Sequence, residues 1–445
     1  MVTKGWDIKD EKRGHTEMER GEKQLGLQKK GEFLLDHYRV LDLTDDKGYL
    51  CGKILADLGA DVIKIEKPGG DPGRRRGPFY HDKPHPEKSL YWFAYNANKR
   101  SITLDIETRD GSILFKRLIQ SADFVIETFA PGYMDKIGLG YSVLNAINPQ
   151  LIMVSITPFG QVGPHKNWKS SDIVSMATGG FMGQAGDADK PPVRISIDQA
   201  SLHACTEGVV ASLIANYERE INGKGQYIDV SIEASVVVSS FSAVPFWDLN
   251  KVILRRSGAF RVGLRKGGKE HRQQWPCEDG FVSFAMLGGL AGAQSNRALV
   301  DWMAMEGFAP DILKEMDWST YDFSTVDDDL VQVLEEPVAR FFLSHTKEEL
   351  YRDAIERRIL LYPVYDIEEI VNSPQLKSRG FWIDVEHDEF NSTIRYPGAF
   401  AKSSEVEIGI YRRPPFIGEH NAEIYGGELG LSSREIEVLV EAKVI

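Results

Sequence analysis

Three cysteines in 445 residues, Cys51, Cys205 and Cys277, make neither a CxxC pair nor an even set. That excludes a disulfide framework and a thiolate zinc site, and it fits a reducing compartment. No run approaches the eighteen apolar residues of a membrane helix. The first 34 residues interleave Lys/Arg with Asp/Glu, without the basic start and apolar centre of a signal peptide. A polar, flexible extension over 1–35 and a cytoplasmic protein with no membrane partner are expected. Positive charge is also in deficit, with 53 Lys/Arg against 66 Asp/Glu and a formal charge of −13. Nucleic acid is therefore not the expected partner, because a phosphate backbone demands clustered excess cations.

Nucleotide fingerprints are missing too. GxGxxG does not occur. The nearest approach to a Walker loop, Gly48-Tyr-Leu-Cys-Gly52-Lys53-Ile54, has three intervening residues where four are needed and no Ser/Thr after the lysine. NAD and ATP are unsupported, and no metal is expected.

What the chain does have is a composition of 42% hydrophobic and 27% charged residues, ordinary for a globular protein, over a length that calls for two domains. From residue 39 short apolar strands alternate with amphipathic stretches. Arg39–Thr44 reads as a strand, Tyr49–Leu58 as a helix stopped at Gly59, and Asp61–Glu66 as the next strand. Strands at Ser101–Asp105, Asp123–Glu127 and Leu151–Ser155 continue the series, with helices at 111–122 and 139–148. A helix at 201–218 and a strand at Tyr227–Ser231 follow. The expectation is an α/β fold with a Rossmann-like, mostly parallel sheet and a smaller α+β domain, ligands binding at the carboxyl ends of the strands. The boundaries expected are 36–245 for the large domain, 246–279 for a linker rich in Gly, Arg and Lys, 280–394 for the small domain, and 395–445 for a return to the large one.

Several short motifs recur in a fixed order: Leu58-Gly-Ala-Asp-Val-Ile-Lys-Ile-Glu66, Asn98-Lys-Arg-Ser101, Glu127-Thr-Phe-Ala-Pro-Gly132, Gly138-Leu-Gly-Tyr141, Gly223-Lys-Gly-Gln226, Pro374-Gln-Leu376 and Gly418-Glu-His420. Each is weak alone. Together, from about residue 36 to the end, they resemble the family III CoA-transferases, the formyl-CoA transferase or CaiB/BaiF family. The Gln-Ala-x-Leu-His-Ala run at 199–204 further resembles the branch acting on aryl- and alkylsuccinates, the benzylsuccinate CoA-transferases. The resemblance implies transfer of CoA from an acyl-CoA donor, such as succinyl-CoA, to a carboxylic acid. It also implies a homologous partner, identical or different, interlocked with this chain as a dimer. Acyl-CoA and a small organic acid are then the ligands.

By position, the resemblance puts Asp45, Asp46, Lys47, Lys67, Leu104, Thr128, Phe129 and Lys136 against CoA. Lys67 and Lys136 suit phosphates, and Phe129 suits an adenine face or simply a core. Two acids at Asp45 and Asp46 depart from the pattern, unless they serve ribose hydroxyls or pantetheine amides. Lys64, Arg74, Arg75, Arg76, Lys99 and Arg100 are the other basic candidates for a polyanion pocket, each more often a solvated charge.

The family's mechanism uses an aspartate that takes the acyl group as a mixed anhydride and then carries CoA as a thioester. Counting back from Gln226, that position falls on Ser201, with Asp198 three residues earlier, about 5 Å along a helix. Asp198 is either the nucleophile or the N-cap of the following helix. Asp172 matches a second acidic position near the active centre. Related racemases place a histidine before it, where this chain has Ser171; His165 and His203 are the alternatives for a base. Gly267-Gly268 or Gly288-Gly289 is expected to steady oxyanions, or only to turn the chain. Two further readings stay open: a non-catalytic subunit whose partner carries the aspartate, and an acyl-CoA isomerase or racemase.

Overall fold

Val40, Leu41, Ile63, Ile65, Val125, Ile126, Ile152 and Val154 are almost wholly buried, and near-continuous apolar strands of this kind are the mark of a sheet covered on both faces. In the computed structural model, which describes residues 33–240, 242–262, 270–322 and 325–445, they form a six-stranded sheet in which every pairing is parallel. Its strands are β1 (Arg39–Leu43), β2 (Asp61–Glu66), β3 (Arg100–Thr103), β4 (Phe124–Glu127), β5 (Ile152–Thr157) and β6 (Tyr227–Ser231), in the order β3-β2-β1-β4-β5-β6. The order reverses between β1 and β4, and the crevice at such a switch point is where α/β sheets take ligands.

Eight helices connect and cover these strands: α1 (Tyr49–Asp57), α2 (Leu90–Asn96), α3 (Arg109–Ile119), α4 (Tyr133–Lys136), α5 (Tyr141–Ile147), α6 (Asp172–Thr178), α7 (Ala200–Asn222) and α8 (Ile232–Ser239). α7 is the longest. Its buried residues 200, 204, 205, 208, 209, 212, 215, 216 and 219 keep the spacing of one helix face, and it stops at Gly223, whose φ of +72° suits a residue without a Cβ. The opposite face carries Val210, Ile214, Tyr217 and Ile221, all more than half exposed.

Two layers of core flank the sheet. One joins α1 and α7 to it through Leu55, Ala204, Val209, Phe124 and Ile156. The other joins α3 through Leu114, Phe115 and Leu118, and is completed from the far end of the chain by Ile424, Tyr425, Val444 and Ile445. Asn98 anchors that return. At φ +68°, a conformation asparagine tolerates, its amide donates to Asp57 and the Gly409 carbonyl, both at 2.8 Å, and accepts from the backbone of Tyr411 and Arg412.

The strip expected to be only a linker contains structure of its own: α9 (Ala243–Asn250) and an antiparallel pair, β7 (Phe260–Val262) with β8 (Glu270–Arg272). Its Gly, Arg and Lys content concealed a hairpin because so little of it is apolar. Gly267-Gly268 and residues 1–32 of the expected extension lie outside the described residues. A separate core follows, in which β9 (Gln274–Cys277), β10 (Gly280–Phe284) and three longer helices bury Trp275, Phe284, Leu299, Phe341 and Leu361. Among the described residues, no single helix is long and apolar enough to cross a membrane.

Candidate active site

The loop after β1 crosses the switch point to the loop after β4. Thr128 Oγ1 accepts the Asp45 N–H and donates to the Asp45 carboxylate, each at 2.8 Å, while Lys47 pairs with the same acid. Beneath this loop lies a buried charge cluster. Asp42 takes Lys99 at 2.8 Å and Thr44 at 2.6 Å, with Lys64 at 3.4 Å, and all three charges are fully buried. Burial pushes the Asp42 carboxyl up, but Lys64, Lys99 and the hydrogen bonds together hold it below its usual value. Gly52 permits this approach, since a Cβ there would meet the Asp42 carboxylate at 2.3 Å.

Lys64 and Lys99 are thus structural cations, withdrawn from any solvent-facing pocket. Arg74 is likewise buried on Glu66 and Glu87, and Arg100 on Asp61, Glu423 and Glu428. Lys67 and Lys136 stay at the surface; Lys67 pairs with Glu107 at 3.0 Å, and Glu107 also accepts the Tyr133 hydroxyl. Phe129 packs on Tyr133 with ring centres 4.6 Å apart. Leu104 is buried in the core beside the end of β3.

Beside the switch point opens a cavity of about 320 Å³, whose wall includes Asp46, Lys47, Arg76, Tyr91, Ser171, Asp172, Arg194, Asp198 and Ser201. The two acids singled out from sequence therefore meet here, and they do different things. Asp172, the first residue of α6, accepts the backbone N–H groups of Gln199 and Ala200 at 2.6 and 2.8 Å. It closes the N-terminus of α7 from another element, and no side chain at the Gln199 cap position does so. Asp198 caps nothing. Its carboxylate stands about one-third exposed in the cavity, 2.5 Å from the Arg76 guanidinium and 3.7 Å from that of Arg194.

Arg76 carries the site's electrostatics. It also pairs with Asp46 at 3.1 Å, and its guanidinium lies 4.1 Å over the Tyr91 ring. Burial, then neighbouring Asp45, raises the Asp46 carboxyl above its ordinary value. Neither histidine named as a base lines the cavity: His165 stacks on Trp168, and His203 bonds Ser239 at 3.0 Å. Gly288-Gly289 opens helix α10 (Gly289–Met305) and is not in the wall. Among the described residues no group of His, Cys, Asp and Glu is placed to hold a metal ion.

Sequence reasoning passed over Arg76 as a partner of Asp198, and nothing local could have revealed a pair 122 residues apart. It also missed Glu127. This buried carboxyl, at the end of β4, accepts from Ser155 and from the Phe129 N–H, with the Tyr227 hydroxyl donating onward to Ser155 at 2.9 Å. Burial pushes it up to about 7, against those hydrogen bonds. It borders a second cavity of about 620 Å³ that holds neither Asp172 nor Asp198.

Comparison with known proteins identifies the family and the fold. The family model described as CoA-transferase family III matches residues 35–421. Succinyl-CoA:(R)-benzylsuccinate CoA-transferase subunit BbsE of Thauera aromatica is 35% identical over 91% of this chain and 96% of its own length. Succinyl-CoA–D-citramalate CoA-transferase of Chloroflexus aurantiacus is 30% identical over 92% and 98%. A crystal structure of a CaiB/BaiF family protein from Brucella suis superposes with a TM-score of 0.76 at 27% identity, covering 89% of this chain and 99% of that one. The match to the family model over most of the chain, relatives at 30–35% identity covered almost end to end, and a shared fold lead to one conclusion: this chain belongs to the family III CoA-transferases.

Proposed function

We propose that this chain moves CoA from an acyl-CoA donor to a small carboxylic acid, with Asp198 as the nucleophile. The observation that carries the reading is the division of labour between two acids. Asp172 closes α7, while Asp198 caps nothing and faces the cavity on the Arg76 guanidinium. In the first step an Asp198 oxygen bonds to the thioester carbonyl carbon, the C–S bond breaks, and CoA leaves as thiolate, giving a mixed anhydride. The thiolate then attacks the aspartyl carbonyl, and the donor acid departs as carboxylate. An acceptor carboxylate attacks the aspartyl thioester, the returning thiolate takes the new acyl group, and the Asp198 carboxylate is regenerated. No ATP is consumed, because each acyl bond formed replaces one of similar energy. Ser171 offers a hydroxyl donor from the cavity wall to the developing oxyanions.

For CoA itself, the loop Asp45-Asp46-Lys47, with Lys67, Leu104, Thr128, Phe129 and Lys136, follows the family's positions. The exposed Lys67 and Lys136 are the phosphate candidates and the Phe129–Tyr133 pair the adenine candidate. A homologous partner, interlocked with this chain, is part of the proposal. The apolar face Val210, Ile214, Tyr217 and Ile221 of α7 supports it, since single stripes of this kind mark interaction surfaces. The separate core from Trp275 to Leu361 supports a division into a large domain, 36–245, and a small one, 280–394.

A second reading has its own observation. Ser201, the residue reached by counting back from Gln226, lines the same cavity, as it would in a subunit whose partner supplies the aspartate. Trapping distinguishes the two. Incubation with succinyl-CoA and hydroxylamine, followed by peptide mass spectrometry, is expected to leave a hydroxamate on Asp198; modification of the partner alone would make this the supporting subunit.

A further inference from the structure

Arg76 divides its two edges between different acids, Nη2 to Asp198 and Nη1 to Asp46. Arg74, two residues earlier, shows the contrast. It is 1% exposed and grips Glu66 through both Nε and Nη2, a locked structural pair, whereas the Arg76 side chain is 40% exposed and opens on the cavity. Arg194 reaches Asp198 and Asp172 only at 3.7 and 3.8 Å.

Two consequences follow from charge alone. The cavity sets three carboxylates, Asp46, Asp172 and Asp198, against two guanidinium groups and the Lys47 ammonium, which Asp45 already holds, so an incoming anion reaches Arg76 only by displacing one of its carboxylates. A carboxylate oxygen engaged by a guanidinium at 2.5 Å is also a poor nucleophile, because the lone pair that must attack is held in a charge-assisted hydrogen bond. Asp198 must be released before it can react.

An acyl-CoA made from a monocarboxylic acid has no charge left near its reacting carbonyl and cannot compete for Arg76. One made from a dicarboxylic acid keeps a free carboxylate a few atoms away. We propose that Arg76 is the specificity-determining residue of the acid site: its Nη2 edge passes from Asp198 to the second carboxylate of a short dicarboxylic acid, and the transfer frees Asp198. Asp46 keeps the other edge and Tyr91 keeps the plane, so the guanidinium pivots in place. Recognition of the acid and unmasking of the nucleophile are then one event. The inference rests on the transfer reading with Asp198 as nucleophile.

The test is the rate at which isotopically labelled succinate exchanges into succinyl-CoA and labelled butyrate into butyryl-CoA, two pairs that differ by the terminal carboxylate, using the full chain with any co-purifying partner. Wild type is expected to favour succinyl-CoA by about 100-fold, within the range one well-placed polar contact discriminates. In Arg76→Gln the KM for succinyl-CoA rises while exchange into butyryl-CoA accelerates, and the preference collapses to about threefold or less. A merely structural role would slow both donors together. Should Arg76→Gln fold poorly by circular dichroism, Arg76→Lys is expected to show an intermediate preference, since lysine offers charge without the fork. An unchanged preference in either folded variant, or none in wild type, overturns the proposal. Asp198→Asn separates the two readings, because loss of exchange with both donors upholds the nucleophile whatever Arg76 does. If wild type exchanges neither acid, the transfer reading falls, and calorimetric binding of succinate against butyrate decides for Arg76. A preference for succinate that Arg76→Gln abolishes upholds it, and equal binding refutes it.

Discussion

Asp172 Oδ1 sits 2.8 Å from the amide nitrogen of Ala200, closing the first turn of a helix that begins 28 residues later in the chain. One carboxylate thereby fixes where α7 starts, and so where Asp198, two residues ahead of it, must point. Asp172→Ala is expected to leave the Gln199 and Ala200 amides unsatisfied at a cost of about 1 kcal/mol. Amide hydrogen exchange over the first turn of α7 should accelerate about fivefold, with a smaller change in Asp172→Asn, which keeps an acceptor. No acceleration would mean that the cap contributes nothing.

Because Asp198 caps no helix, its replacement should be cheap for the fold and expensive for the chemistry. Asp198→Asn is expected to move the urea midpoint little, within about 0.5 kcal/mol, while lowering turnover about 1,000-fold or more. Ser201→Ala should stay within about threefold of wild type. The reverse order of effects would exchange the roles of the two residues.

Under the β1 loop, two buried lysines share Asp42. Asp42→Asn leaves Lys99 without a counter-charge and Lys64 with Asp71 alone, at 3.8 Å, and a loss of about 3–5 kcal/mol in urea unfolding is expected. Lys99→Met should cost less, since Asp42 then keeps Lys64 and Thr44. Equal losses would show that the cluster acts through packing and not through charge.

Glu127 gives a pH dependence whose sign can be worked out. Its carboxyl is raised to about 7 in the fold, against about 4.3 in an unfolded chain. Between those values the native state binds the extra proton, so stability falls as pH rises from about 4.3 to 7 and then levels off. Asp45 and Asp229 add repulsion in the same direction. Glu127→Gln should flatten that slope and stabilise the protein above pH 7, by up to about 3 kcal/mol. Urea midpoints at pH 5 and 8 check it, and a slope unchanged in the variant would assign the dependence elsewhere.

The apolar face of α7 predicts an assembly. Ile214→Asp with Ile221→Asp places two charges on a surface that is solvent-exposed in the single chain, so the monomer should fold. Light scattering after gel filtration is expected to show a shift from dimer to monomer. A wild-type monomer would remove the argument for a partner on this face.

The parallel sheet was legible in the sequence because its strands are short runs of Val, Ile and Leu bounded by glycines and polar turns; Asp61–Glu66 and Tyr227–Ser231 were placed to the residue. Hairpin β7–β8 was not, since Arg261, Glu270 and Arg272 give no alternation to read. Within the site, Asp172 and Asp198 could be singled out as candidate acids, but which one caps α7 depends on a contact across 28 residues. Lys64 and Lys99 looked like surface cations, and only the three-dimensional meeting with Asp42 reveals otherwise.

Asn98 has a consequence for the order in which the molecule can be made. Its amide fastens the backbone at Gly409, Tyr411 and Arg412, more than 300 residues further along, and Ile424 and Tyr425 then fill the core next to β3. A ribosome releasing this chain has delivered all six strands long before it delivers the segment that covers them. Until then the β3 flank is an unfinished apolar surface, and it is closed only when the segment from Gly409 docks on it, a contact of long sequence separation. Truncation before Gly409 should therefore yield a protein held by chaperones, while the sheet it exposes is already complete.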